Sequence, residues 1–384
     1  MYIIINYLNV KNIRLATGFF LTAFLVLNSG LSGQSSHIAV GNRQIEFPDI
    51  PGFKTLVCDF HMHTVLSDGH VWPSIRVEEA QRDGLDAISI TDHIEYQPHR
   101  EDIPHPDRNR SYQLALRSAE ESDLIVINGA EITRAMPPGH ANAIFLEDVN
   151  ALNREDVWEV FREARQQEAF IFWNHPHWTA QRPDGIATLT DMHGQLITEG
   201  LINGIEVVND MTYSDEALQI ALDHNLTIMG TSDIHGLVDW QFGIPEGGHR
   251  PVTLVFAGDK TPEAIKEALF QGRTAVWFKN FLVGQSDYII PLIRKSLTVT
   301  PGKKKEVLTV WIKNTSDADY TVENLTDYTF HANADVFTLG AHRTTVLRVK
   351  TGEPLNTVDL KFRILNAVTA PGEHPEITWT ISPE

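Results

Sequence analysis

Cysteine is nearly absent from this chain: Cys58 is the only one among 384 residues. That excludes an internal disulfide and a metal site built of thiolates. Cys58, in the apolar run "TLVCDF", reads as a small buried residue on a first strand. Positive charge is also scarce. The chain has 31 Lys and Arg against 50 Asp and Glu, a formal net charge of −19. Nucleic acid is excluded as an expected partner, because its phosphates would be repelled. Bound cations, which a charge count does not see, would offset part of this acidity. Glycine-rich phosphate loops, a G-x-S-x-G serine and a C-x-x-C pair are missing, which removes the common nucleotide-cradle and nucleophile classes. No internal repeat or low-complexity tract occurs. Beyond the first 33 residues, no stretch is long and apolar enough to cross a bilayer.

Those first residues form a unit of their own. They lack acids and carry two bases, Lys11 and Arg14, ahead of the apolar run Leu15 to Leu27 and the small residues "NSGLSGQSS". This is the order of a secretory signal peptide over residues 1–33, cut near Gly33. The run is shorter than the ~18–20 residues that a membrane span needs. The expectation is a periplasmic or secreted protein with no membrane span after cleavage. Losing the two bases would take the charge from −19 to −21.

The full chain is 42% hydrophobic and 21% charged, enough for a sizeable core. From about Val57, apolar runs such as "LVCDF", "DAISI", "LIVINGAEI", "GIEVVND" and "LTIMGTSD" alternate with amphipathic stretches such as "SIRVEEAQRDG" and "SDEALQIALDHN". Ser214 before Asp215 and Glu216, and Thr261 before Pro262, are good helix starts. Wholly apolar strands separated by helices predict a parallel sheet covered by helices, closed into a β/α barrel over residues 34–285. After Gly284 the helices vanish and alternating runs with turn signals take over. Residues 286–384 read as a small antiparallel, Ig-like β-sandwich.

The chemistry lies at the strand ends. In "CDFHMHTVLSDGH", His61 and His63 are two apart on an extended segment and so share one face. Later strand ends bring Asp92 and His93, then Glu131, His140, His175 with His177 nearby, and finally Asp233 and His235. Packing does not explain apolar strands that end repeatedly in ionisable groups, since buried charges need partners. A divalent cation would partner all of them. The candidates are too numerous for one ion with slots left for water and substrate, and their N/O character suits Zn, Mn or Fe better than Ca or Mg.

The set "HMHTVLSDG", "TDH", "GAEIT", "GH", "NHP" and "SDIH", in this order, resembles the PHP (polymerase and histidinol phosphatase) family over roughly residues 54–280, and within it the bacterial phosphodiesterase branch. The resemblance implies a distorted (β/α)7 barrel and a centre of two or three divalent ions that hydrolyses phosphate esters. It implies that His61, His63, Glu131 and Asp233 hold one ion. Glu131, His140 and His175 would hold a second, and Asp68, His93 and His235 a third. Some members have a histidine one residue further on, where this chain has Gly69, so Asp68 must fill that role.

The residues expected to carry catalysis are Glu131, Asp233, His235 and Arg134. Arg134, as a clamp on a phosphate oxygen, and His177 are the expected substrate contacts. Tyr96 and His99 are candidates for the mouth, and Trp72, Trp173, Trp178 and Trp240 for an apolar wall. The expected activity is hydrolysis of a small-molecule phosphate ester, preferably a diester, by a metal-activated hydroxide. The alternatives are a phosphomonoesterase with the same centre, or a binding protein with the sandwich as its module. A homo-oligomer is compatible with either. An amidohydrolase is disfavoured, because no strand-end Lys is present to bridge metals.

Overall fold

Runs rich in Val, Ile and Phe become strands, since branched and aromatic side chains pack well on a pleated surface. The computed structural model describes residues 44–384, and the expected signal peptide lies outside them. Strands β1 (Lys54–Asp59), β2 (Ala87–Ile90), β3 (Ile125–Ile132), β4 (Ala141–Ile144), β5 (Phe170–Trp173) and β6 (Gly204–Asn209) come first. The short β7 (Thr212–Tyr213), β8 (Thr227–Thr231), β9 (Val252–Ala257), β10 (Thr274–Phe278) and β11 (Phe281–Gly284) follow. Helices α1 (Pro73–Asp83), α2 (Arg110–Ala119), α3 (Val157–Gln166), α4 (Asp191–Thr198), α5 (Asp215–His224), α6 (Val238–Gln241) and α7 (Pro262–Phe270) lie between them. The expected caps form: Ser214 Oγ accepts the N–H of Ala217 at 3.1 Å and Thr261 Oγ1 that of Ala264 at 3.2 Å.

These strands make one curled sheet, with β1 between β9 and β2, and β2–β7 continuing in sequence except for β8, which pairs β6. The sheet is mixed rather than parallel. β1–β2, β2–β3, β5–β6 and β6–β8 are parallel. β3–β4, β4–β5, β1–β9, β9–β10 and β10–β11 are antiparallel. Linker length decides some of this. A parallel return needs a crossover of a dozen or more residues, and the β3–β4 and β10–β11 links are too short for one. Lys279 and Asn280, both at positive φ (45° and 61°), form the two-residue turn of the β10–β11 hairpin. β8 meets β9 and β10 through threonines. Thr253 Oγ1 accepts from Gly230 N at 3.0 Å and donates to Gly230 O at 2.8 Å, and Thr274 Oγ1 donates to Ile228 O at 2.7 Å. Gly230 permits this approach, because a Cβ there would fall 2.1 Å from Val276 Cγ1.

The stretch after Gly284 opens with a helix, α8 (Ser286–Ser296), contrary to the helix-free reading. Ile289, Leu292 and Ile293 are buried at helical spacing, but Pro291 among them masks the pattern. Strands β12 (Leu297–Pro301), β13 (Val307–Asn314), β14 (Tyr320–Asn324), β15 (Thr329–Phe330), β16 (Val336–Leu339), β17 (Thr344–Lys350), β18 (Val358–Ile364), β19 (Ala367–Val368) and β20 (Glu376–Ile381) follow. Two four-stranded sheets form, β12-β13-β17-β15 and β16-β14-β18-β20, while β19 joins the first sheet beside β11. Among the described residues, no helix is long and apolar enough to cross a membrane. Cys58 is fully buried and free, and burial pushes its thiol pKa well above the usual range.

Candidate metal centre

The segments just past β1 and β8 zip together. Met62 bridges Ile234, His63 N donates to Ile234 O at 3.0 Å, and Asp233 N donates to His61 O at 2.9 Å. This register places His61, His63 and Asp233 side by side. Nε2 of His61 and Nε2 of His63 lie 3.1 Å apart and 3.1 and 3.0 Å from Asp233 Oδ1. Glu131, near the end of β3, adds Oε2 at 3.6 and 3.4 Å from the same two nitrogens. Its Oε1 lies 2.9 Å from His140 Nδ1 and 3.5 Å from His175 Nε2. His93 Nδ1 is 2.8 Å from Glu131 Oε2. Asp68 stands 3.3 Å from His235 Nε2 and 3.5 Å from His93 Nε2. All nine residues therefore meet in one cluster.

The donor set fits divalent ions. Glu131 Oε2 and Asp233 Oδ1 are shut off from solvent and accept no hydrogen bond, a costly state for a carboxylate oxygen. Donor atoms held tetrahedrally around one ion at 2.0–2.1 Å would lie roughly 3.3 Å apart, close to the 3.1, 3.1 and 3.0 Å that separate His61, His63 and Asp233. Three groupings bring ligand atoms within 4.8 Å of one another: His61 with His63 and Asp233; His93 with Glu131 and His140; and His63 with Asp68, His93 and His235. Two candidate ligands occupy left-handed backbone, His175 at φ 27° and Asp233 at φ 48°, and local strain of this kind concentrates at functional sites.

Supporting residues hold the ligands. Glu206, buried in β6, accepts from His61 Nδ1 at 2.7 Å, His175 N at 2.6 Å, Thr231 Oγ1 at 2.5 Å and Asn209 Nδ2 at 2.9 Å. It fixes the His61 tautomer so that Nε2 keeps its lone pair for a ligand. Asn174 Nδ2 donates to Glu131 Oε1 at 2.9 Å. Asp92 does not join the cluster. It braces the loop after His63, accepting from Thr64 N at 2.7 Å and Ser67 Oγ at 2.7 Å. Gly69 leaves no room for a side chain, since a Cβ would fall 2.5 Å from the His63 carbonyl carbon. Asp68 is thus the residue that reaches His93 and His235.

Carboxylates and imidazoles in the cluster shift one another's pKa values. Burial opposes charge on His93, but Glu131 and Asp68 outweigh it and raise its pKa to about 11. Burial likewise opposes His61, and Asp233, Glu206 and Glu131 raise it well above the usual value. Burial, helped by His93 and His235, lowers His63 to about 4. Burial works against the charged forms of Glu131 and Asp233, yet the imidazoles around them hold both below the usual carboxylate range. A divalent ion would displace these protons, so acid would weaken its binding.

The cluster opens into a cavity of about 320 Å³ lined by Trp178, Asn209, Asp210, Thr212 and Gln241 together with seven of the ligand candidates. The Trp178 ring lies 5.1 Å from that of His175 and 5.6 Å from that of His140, and Trp178 is 45% exposed. Of the other tryptophans, Trp173 is buried and stacked on His193, and Trp72 and Trp240 are exposed outside the cavity wall. Tyr96 is exposed with its ring 5.8 Å from His93, and His99 lies off the wall. His177 sits at the rim, Nε2 2.8 Å from Thr212 Oγ1. Arg134 is not brought to the cavity. It pairs with Glu95 at 2.9 Å and donates to Arg154 O at 2.6 Å. Three residues past Glu131 on extended chain, it points the opposite way, whereas Thr133, two past, meets His93 Nδ1 at 2.7 Å.

A crystal structure from Bacteroides vulgatus, of a two-domain protein containing a predicted PHP-like metal-dependent phosphoesterase, is 41% identical to this chain. The match covers 88% of this chain and 99% of that one, with a TM-score of 0.84. The chain belongs to the PHP-like metal-dependent phosphoesterase family. Residues 296–380 match the Ig-like domain family DUF5001. PsfC of Pseudomonas syringae is 18% identical, covering 63% of this chain and 96% of that one at a TM-score of 0.41. A lesion-specific endonuclease of Pyrococcus furiosus is 17% identical, covering 66% and 62% at 0.42. Neither of these two carries weight for function. No curated protein matches.

Proposed function

We propose that this chain is an exported hydrolase of small-molecule phosphate esters that prefers diesters to monoesters. The observation carrying the diester preference is the cavity wall: among the described residues lining it there is no Lys or Arg. A monoester dianion gains most from extra cationic side chains, whereas a diester carries one charge and two organic groups. The neutral surfaces of Trp178, Asn209, Thr212 and Gln241 suit the latter. His61, His63, Asp68, His93, Glu131, His140, His175, Asp233 and His235 would hold two or three divalent ions, of Zn, Mn or Fe. When bound, such ions supply Lewis acidity, offsetting phosphate charge and acidifying water. Glu131 orients the imidazoles around it, Glu206 keeps His61 in its ligating tautomer, and Trp178 screens the reacting ester from bulk water.

The same reading takes residues 34–285 as a distorted (β/α)7 barrel and 286–384 as the sandwich domain. It places the protein in the periplasm or outside the cell after cleavage near Gly33, on the strength of the N-terminal sequence. The test is hydrolysis of p-nitrophenyl phosphate and bis-p-nitrophenyl phosphate by protein loaded with Mn²⁺ or Zn²⁺. Turnover of the diester is expected, and turnover of the monoester alone rejects the preference.

A further inference from the structure

Beneath the cluster lies a fully buried arginine, Arg76 on α1. In sequence it looks like half of an ordinary surface pair, three residues before Glu79. In the fold its donors go elsewhere. Nε donates to His63 O at 2.9 Å, and Nη2 donates to Ile234 O at 3.2 Å and to His235 O at 2.9 Å. Nη1 alone turns to Glu79, whose Oε2 accepts it at 2.7 Å. Glu79 Oε1 accepts the N–H of Val238, the first residue of α6, at 2.9 Å, and α6 carries Gln241 into the cavity wall.

This arrangement has a specific consequence. The three carbonyls belong to the two segments that carry His61, His63, Asp233 and His235; Ile234 O also accepts from His63 N and His235 O from His70 N, so Arg76 gives those two a second donor and ties them to His63 O. A guanidinium presents its donors in one rigid plane, so it fixes the spacing of these carbonyls as well as satisfying them. Glu79 balances its charge. The imidazoles of His63 and His235 stack at 4.3 Å directly above.

We infer that Arg76 is a positioning residue for the metal centre: by pinning the main chain of His63 and His235 it sets both imidazoles at ligation distance from Asp68 and His93. The inference rests on the metal-centre reading but not on the choice of ester.

The experiment counts ions. Metal-free wild-type protein, R76K, E79Q and a control, Ile265→Ala, are titrated with Mn²⁺ by calorimetry, and bound metal is counted by mass spectrometry after gel filtration. Their melting temperatures are recorded without metal. Ile265 is a buried residue of α7, and its truncation destabilises the core without touching these carbonyls. R76K keeps the charge facing Glu79, yet one ammonium cannot span three carbonyls and a carboxylate. R76K is expected to lose one ion per chain or to bind it at least roughly tenfold more weakly. E79Q is expected to shift in the same direction, and Ile265→Ala to melt lower with unchanged Mn²⁺ binding. The inference is overturned if R76K matches wild type in number and affinity of ions, or if Ile265→Ala loses them equally. Should R76K not fold, E79Q decides by the same criterion. Wild-type protein that binds no Mn²⁺ would instead refute the metal-centre reading itself.

Discussion

Replacing Glu206 by Gln tests whether a buried carboxylate that touches no cavity can govern metal affinity. Glu206 accepts four donors, two at each oxygen: His61 Nδ1 and Thr231 at Oε1, and His175 N and Asn209 at Oε2. An amide keeps one acceptor oxygen and turns the other end into a donor. Thr231 and Asn209 can adapt by rotating their own groups. The main-chain N–H of His175 and the Nδ1–H of His61 cannot both be served. Losing one charge-assisted hydrogen bond costs about 1.5–3 kcal/mol. If the His61 bond is lost, the imidazole is free to change tautomer or tilt, and the cost falls on the ion that Nε2 faces. That converts to roughly 10- to 100-fold weaker metal binding. Calorimetric titration of metal-free E206Q with Mn²⁺ measures it, with circular dichroism to verify folding. Hydrolysis at limiting metal should fall by a similar factor and recover with excess metal. A folded E206Q that binds Mn²⁺ within roughly twofold of wild type would refute the reasoning.

Asp233→Asn should abolish hydrolysis while leaving the far-ultraviolet spectrum intact, because Asp233 Oδ1 meets both His61 and His63; wild-type turnover would count against the site. Trp178→Ala should raise KM for bis-p-nitrophenyl phosphate more than for methyl p-nitrophenyl phosphate, both of which release p-nitrophenolate, and equal changes would remove Trp178 from substrate contact. Gly69→His, though it restores the residue of some relatives, should lower both stability and metal content, since even a Cβ meets the His63 backbone at 2.5 Å. His193 provides a pH test. Burial lowers its pKa from 6.5 to about 4. The folded state thus prefers neutral imidazole, and its contribution is complete above pH 6.5 and fades as pH falls toward 4. The full loss is about 3 kcal/mol. Urea unfolding at pH 7.5 and 5 should show a smaller acid loss for His193→Gln than for wild type, and identical losses would contradict the linkage.

Most candidate ligands were legible because they closely follow an apolar run, where packing gives no reason for an ionisable side chain; Asp68, in a turn, and His140, just before β4, lack that signal. Other parts of the site were hidden by the same logic. Glu206 sits within the strand "GIEVVN", where a single acid passes for a strand's polar face, although it is wholly buried. Its signal was the lone charge in a run otherwise apolar enough to be covered on both sides. Arg76 and Glu79 have the spacing of a solvated helix pair, and only the tertiary fold turns that face inward. Arg134 looked like a phosphate clamp by its nearness to Glu131, but strand alternation sends it away. Strand direction was legible only where a link is too short for a parallel crossover, as between β3 and β4; elsewhere an apolar run packs between two layers of helices in either orientation, and composition does not record which.

The relation of the sandwich to the rest follows from where the chain returns. After β18 the backbone leaves the sandwich, lays β19 parallel to β11, and goes back for β20. Asn366, at the start of this excursion, donates to Asn280 O at 2.6 Å and to Asp319 O at 2.7 Å, tying the β10–β11 hairpin to the loop before β14. Asn280 in turn accepts from Asp319 N at 2.7 Å, while Glu46 N donates to Asp317 Oδ2 at 2.8 Å and Asp317 N to Glu46 O at 3.0 Å. One hydrophobic cluster runs without a break from Ile45, Trp277 and Leu282 into Val310, Tyr320 and Phe362. A cut at residue 286 would therefore strip a strand from the first sheet and expose the edge of β11, as well as opening that core. An unpaired apolar edge of this kind invites association between chains. The sandwich is thus part of what lets the sheet end at β11, and the strand ends that hold the metal ligands depend on that sheet for their register.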